Sequence, residues 1–190
     1  MLTSNDDFSL NRYGLHLRFV NESDADFIVK LRTDPDLGKY LGFTSSDVEL
    51  QRQWIKEYKE LQKKGEDFYF MFETFDGKRL GVCRIYNISD HFFTIGSWIF
   101  TTEAPVGASI LADIITRELA YAYFPDKLMH FDIRKQNINV IRYHSTFKPT
   151  KISEDELNYY YELSSSDFEK YKQLHLRMFA PKNNKHEYEQ

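Results

Sequence analysis

The chain has 190 residues, 42% of them hydrophobic, enough for one domain around one sizeable core. Its net charge of −4 argues against a nucleic-acid partner, which would call for a basic patch. No apolar run approaches the roughly 20 residues of a membrane span, and the single Cys83 excludes an intrachain disulfide. Cys83 sits in an apolar run and reads as a small buried hydrophobe. With 16 Phe and 13 Tyr, the interior or a binding cleft should be aromatic. The acidic start MLTSNDDFSLNR lacks the apolar core of a signal segment, so a cytoplasmic location is expected.

In chain order, Leu15 to Val20 alternates apolar and polar residues, as a half-buried strand does. Ser23 and Asp26 frame a helix start, Phe27, Ile28 and Leu31 follow at helical spacing, and Pro35 stops the run. Ser46-Asp-Val-Glu49 predicts a capping box for a helix with a stripe of Leu50, Trp54, Ile55, Tyr58 and Leu61, closed by Gly65. Strands are predicted over 67–75, 79–88 and 92–100. Asp76-Gly77 joins the first two and Ser89-Asp90-His91 the last two, which makes an antiparallel meander. A long helix is expected from Pro105 to Phe124. Then come a strand over 128–134, a short helix over 139–147 ended by Pro149, and a strand over 157–163. A last helix opens at Ser166-Asp-Phe-Glu169. This order is an α+β, or mixed α/β, architecture: a mixed, mostly antiparallel sheet flanked by helices, one domain over 1–182. The polar residues 183–190 are expected to be a disordered tail.

The order resembles that of the GNAT acetyltransferases over about 15–163, and three local patterns carry the resemblance. The first is Ile95-Gly-Ser-Trp-Ile-Phe100, similar to the family strand whose backbone holds the pantetheine arm of the cofactor. An extended amide ligand can pair with a strand edge as another strand would. The second is Ala104-Pro-Val-Gly-Ala-Ser109, similar to the family's pyrophosphate loop, Gln/Arg-x-x-Gly-x-Gly/Ala. Gly107 matches the central glycine, whereas Ala104 replaces the basic or amide residue and Ser109 replaces the last small one. The third runs from Ile133 to Pro149: Asn137 falls on the family asparagine, Val140 on its small apolar position, and Tyr143-His144 on its aromatic pair. Lys148-Pro149 stands where Gly-Phe is expected.

The resemblance implies transfer of an acetyl group from acetyl-CoA to a primary amine by direct attack, with no metal. It places Trp98, Ile99, Phe100, Val106, Gly107, Ala108, Ser109 and Asn137 at the cofactor. It makes His144, or its neighbour Tyr143, the acid that protonates the departing thiolate. An imidazole with an ordinary pKa near ~6.5 would have to be charged to do so. Glu103, Asp90 and His91 are candidates for the base, and a water chain is an alternative that leaves no mark. The acceptor side is expected from residues 40–44 and the acidic residues 151–156. Leu31 to Asp36, with the Tyr143-His144 pair, is similar to the branch of amino-sugar acetyltransferases, so the expected acceptor is a small-molecule amine, an amino-sugar nucleotide among them. The branch acting on protein N-termini, such as those of ribosomal proteins, and a non-catalytic acyl-CoA-binding scaffold are the alternatives. No nucleic-acid or membrane partner is expected, and a homodimer is left open.

Overall fold

The structure is a computed structural model and describes residues 5–182. Strand β1 (Ser9–Arg12) turns back into β2 (Leu15–Phe19) through Tyr13 and Gly14. Both of these have positive φ, 52° and 80°, as a two-residue hairpin with the right twist requires. β3 (Phe68–Glu73), β4 (Arg79–Tyr86) and β5 (Phe92–Phe100) form the expected meander. The first connection is a loop over 74–78 with Gly77 at φ 83°. β6 (Leu128–Arg134), β7 (Thr150–Glu154) and β8 (Asn158–Leu163) complete one eight-stranded sheet, ordered β1-β2-β3-β4-β5-β6-β8-β7. β5 and β6 are its one parallel pair.

Strand period separates two cores. β3 is buried on both faces. Phe68, Phe70 and Phe72 point with Leu15, Leu17 and Phe19 toward α3 (Ala108–Tyr123) and α5 (Ser165–Phe179), while Tyr69 and Met71 point to the opposite face. There they meet Ile28 and Leu31 of α1 (Ala25–Thr33) and Ile55 and Tyr58 of α2 (Val48–Lys64). Phe68, Phe70, Phe72, Phe93, Phe147 and Phe168 are fully buried. Each such side chain contributes roughly 1.5–3 kcal/mol by leaving water.

Three helix caps differ from expectation, because the cap is the residue with extended backbone whose oxygen reaches amides two or three ahead. α1 follows a 3-10 turn over Glu22–Asp24 capped by Asn21 and Asp24, rather than by Ser23 and Asp26. α2 is capped by Asp47, not Ser46, and α5 by Ser164 with Asp167, not Ser166 with Glu169. On α2, Leu50 and Leu61 are exposed and only Ile55 and Tyr58 of the expected stripe are fully buried. α3 begins at Ala108, since Gly107 at φ 84° cannot continue a right-handed turn. α4 (Ile138–Ser145) is capped by Asn137, whose side chain accepts from Val140 N–H. Lys148 adopts φ 54°, so the turn expected to need glycine is made by a lysine. The tail over 183–190 lies outside the described residues.

Candidate active site

β5 and β6 share only three register pairs, Phe92 with Leu128, Phe93 with Met129 and Thr94 with His130. Beyond Thr94 and His130 the two strands part. β5 continues against β4 on its other side through Phe100. The edge of residues 95–100 facing β6 therefore carries backbone groups with no strand partner. The parting coincides with a β-bulge: Ser97 and Trp98 oppose only Cys83, and Ser97 takes φ 50°. Trp98 Nε1 donates to the carbonyl of Ser109 at 2.9 Å, fastening the first turn of α3 to this edge.

Three joined cavities follow the split. A trough of about 520 Å³ runs along Trp98, Ile99, Phe100, Ser109 and Asn137, with Asp36 and Lys39 also in its lining. Trp98, Tyr40, Asn137 and Val140 also line a central cavity of about 300 Å³, which reaches His144, Asp113, Asp132 and Tyr86. Arg32, Arg84 and Ser97 are shared between the central cavity and a third, of about 290 Å³, against α2.

Behind the central cavity lies a buried charged group. Asp113 and Arg117 stand one turn apart on α3, 1% and 0% exposed. Arg117 Nε is 2.8 Å from Asp113 Oδ2, an ion pair rather than an aligned hydrogen bond. The Tyr143 hydroxyl donates to the same oxygen at 2.5 Å. Arg117 Nη2 lies 2.7 Å from His144 Nδ1. A guanidinium has no acceptor, so Nδ1 accepts and the imidazole proton sits on Nε2. Burial, and then the Arg117 charge, hold the His144 pKa well below 6.5. Burial and Asp113 push the Tyr143 hydroxyl well above 10. The imidazolium that an acid role at His144 would need is disfavoured by burial and by the Arg117 cation 2.7 Å away.

The structure brings Trp98, Ile99, Phe100, Ser109 and Asn137 together on the trough and places His144 on the central cavity. Tyr143 is turned to Asp113 instead. Val106 points into solvent, 92% exposed, and Ala108 is buried. Gly107 is required by its φ and by Phe179, whose ring carbon would stand 2.4 Å from an added Cβ. Neither Val106, Gly107 nor Ala108 lines the cavities described above. The candidate bases fare differently. Glu103 is exposed and paired with Lys78 at 2.7 Å, and Asp90 and His91 lie in the turn before β5, away from the cavities. Residues 151–156 do not line the cavities either: they form the outer edge strand β7 and its turn. There Glu154 pairs with Lys151 and Lys135, and Asp155 accepts from Tyr160. The loop over 40–44 does line the cavities.

The residues missed are Asp113, Arg117, Arg32, Lys39, Arg84 and Asp132. Asp132 reaches solvent at the rim, yet partial desolvation raises its pKa above the ordinary carboxylate value. The i,i+4 charges within the apolar stripe of α3 were the available signal.

The pattern of the acetyltransferase (GNAT) domain family matches residues 14–144. The chain belongs to the GNAT acetyltransferases. As a GNAT protein it is an acetyl-CoA-dependent acetyltransferase. Among solved structures, apo FdhC, a nucleotide-linked sugar GNAT, is 30% identical at a TM-score of 0.80, over 91% of this chain and 99% of that one. The ribosomal-protein-S5-alanine acetyltransferase of Vibrio fischeri is 17% identical, TM-score 0.72, over 85% and 99%. RimJ of Mycobacterium smegmatis, in complex with CoA-disulfide, is 14% identical, TM-score 0.70, over 90% and 91%. The last two likenesses concern the GNAT fold alone. A comparison with curated protein sequences finds no match. Among the described residues, no group of three or more His, Cys, Asp or Glu side chains could hold a metal ion, and no helix is long and apolar enough to cross a membrane.

Proposed function

We propose that this GNAT protein acetylates a primary amine of a small acceptor, an amino-sugar nucleotide being the favoured class. The parting of β5 from β6 carries the reading. It leaves an unpaired backbone edge over 95–100 against a trough of about 520 Å³, where an extended amide ligand could pair as a strand would. The residues present fit acetyl-CoA, whose contribution is the acetyl thioester. The main chain of Trp98 to Phe100 would pair with the pantetheine arm. In the first turn of α3 the Ala108 amide donates to the Pro105 carbonyl at 2.9 Å, so the amides of Ser109 and Ile110 are the ones that suit a diphosphate. Lys39 supplies a cation near the trough in place of the one absent at Ala104.

Each remaining role belongs to the central cavity. Asp132, its pKa raised, is the carboxylate placed to take a proton from an ammonium acceptor, directly or through water. His144 presents Nε2–H as a hydrogen-bond donor for negative charge developing on sulfur or oxygen. As a neutral imidazole it transfers no proton. The amino-sugar preference draws on the likeness to FdhC, a nucleotide-linked sugar GNAT. The test is a melt with and without acetyl-CoA, followed by thiol release over a panel of amines. At a hundredfold excess over Kd, binding should add about 2.7 kcal/mol. No shift at millimolar acetyl-CoA refutes the reading. A shift without turnover on any amine replaces it with that of a non-catalytic acyl-CoA-binding protein.

A further inference from the structure

The third cavity, against α2, has a wall unlike the rest of the site. The guanidiniums of Arg18, Arg84 and Arg117 each face a carboxylate: Asp24 and Glu73, Asp67, and Asp113. Arg32 does not. Its Nε donates to Thr44 Oγ1 at 2.6 Å, Nη2 to the Gly42 carbonyl at 3.4 Å and Nη1 to Ser97 Oγ at 3.5 Å, all neutral acceptors. Among the described residues no carboxylate lies within ion-pair distance of it. The cavity wall holds one carboxylate, Asp47, whose Oδ1 is committed to the amides of Glu49 and Leu50 at the start of α2. A partly buried cation with only neutral partners keeps most of its field for a ligand.

Another part of its lining is apolar and exposed. Phe43 is 97% exposed and Leu50 59% exposed, and both line this cavity beside Trp54. Trp54 is held in place by stacking on Tyr58, rings 5.8 Å apart and 6° from parallel, and by the Arg84 guanidinium 4.8 Å from its centroid. Apolar side chains gathered around a polar cavity and left in water mark a surface waiting for a flat partner. Arg32, Arg84 and Ser97 line both this cavity and the central one, so a single molecule can extend from Asp132 and His144 past Arg32 to Trp54.

We propose that the third cavity binds the nucleoside diphosphate part of the acceptor, with Arg32 on the phosphate oxygens and the wall of Phe43, Leu50 and Trp54 against the nucleoside. This rests on the transfer to an amine in the central cavity, and it sets the acceptor's charge: anionic next to its amine. A polyamine is disfavoured, because it would bring cations against Arg32 and Arg84. Planar guanidinium forks suit phosphate oxygens, which accept in pairs.

The test is calorimetric titration of UDP and TDP into the full chain already saturated with CoA, which closes the donor trough to nucleotides. One or both should bind, and Arg32→Gln should weaken binding about 10- to 100-fold, the range of a charge-assisted hydrogen bond. Arg32→Lys, which keeps charge and loses the fork, should recover part of the loss. Pyrophosphate should bind about tenfold more weakly than the better nucleotide, and spermidine should not compete. In wild-type protein the Arg32 Nε–H resonance should move on adding nucleotide, a readout that needs no variant. Equal affinity in wild type and Arg32→Gln, an unmoved Arg32 signal, or pyrophosphate binding as tightly as both nucleotides each overturns the proposal. CoA binding and amine acetylation without nucleotide binding overturn it alone. A chain that binds no CoA overturns the transfer reading and this proposal with it.

Discussion

His144 should destabilise the protein in acid, and replacing it should remove that sensitivity. Its ring is 7% exposed. It is faced by Arg117 and Asp113 from α3, Tyr143 from its own helix, Trp98 from β5 and Phe131 from β6, with His175 of α5 next to Tyr143. Burial and Arg117 depress its pKa below the unfolded value of 6.5. The unfolded chain therefore takes up a proton below that pH which the folded chain refuses. The contribution to stability is fully present above about 6.5 and is lost as pH falls toward the folded pKa. At about 1.36 kcal/mol per pH unit, the loss from pH 7 to pH 5 comes to about 2 kcal/mol, provided the folded ring stays neutral. In a chain of this size that is about 4–8 °C in Tm. His144→Gln is neutral at every pH and keeps an oxygen that can accept from Arg117. Melts at pH 5, 6 and 7 should show a shallower acid slope in the variant, and the His175 contribution, also depressed by burial, cancels in the comparison. Over pH 6 to 8, kcat should carry no limb from His144, whereas an imidazolium acid would make it fall as pH rises. Parallel acid slopes in the two proteins, or an imidazole resonance of His144 titrating near 6.5, would refute the reasoning.

Gly107→Ala should lower Tm by roughly 4–8 °C, from the left-handed backbone that an alanine disfavours by about 1–2 kcal/mol together with the Phe179 contact. A variant as stable as the wild type in thermal melts would show that the turn relaxes and that this glycine is not structural. Arg117→Met should cost about 3–5 kcal/mol, because it strands the buried Asp113 carboxylate with only the Tyr143 hydroxyl. Asp113→Asn with Arg117→Met should recover much of that loss in urea unfolding, and strictly additive losses would dismiss the pair as a coupled unit.

What the sequence discloses depends on whether a signal is local. β3 to β6 and the cap at Gly65 were legible because alternation and cap chemistry are written within a few residues of each element. β7 was not, since all five of its residues are exposed and an edge strand with no buried face has no alternation to show. β1 was missed because its turn is Tyr13-Gly14, where the expected signal is Asn or Asp before glycine. At the site, the main-chain contributors Trp98 to Phe100 were readable as a strand, although nothing in that strand says that β6 pairs with it for only three residues.

Side-chain roles were harder to read, because each depends on a partner distant in the chain. Arg117 and His144 are 27 residues apart, and Arg32 and Ser97 are 65 apart. The aromatic pair of the short helix shows why this matters. Adjacent residues on a helix point about 100° apart, so one faces the cavity and the other faces α3. Asp113 holds Tyr143 on the inner side and Arg117 holds the imidazole proton on Nε2. Burial first, and then Arg117 of α3, disfavour the charged form of His144. Motif spacing located the residue, and its buried surroundings disfavour the charged ring that a proton donor would need.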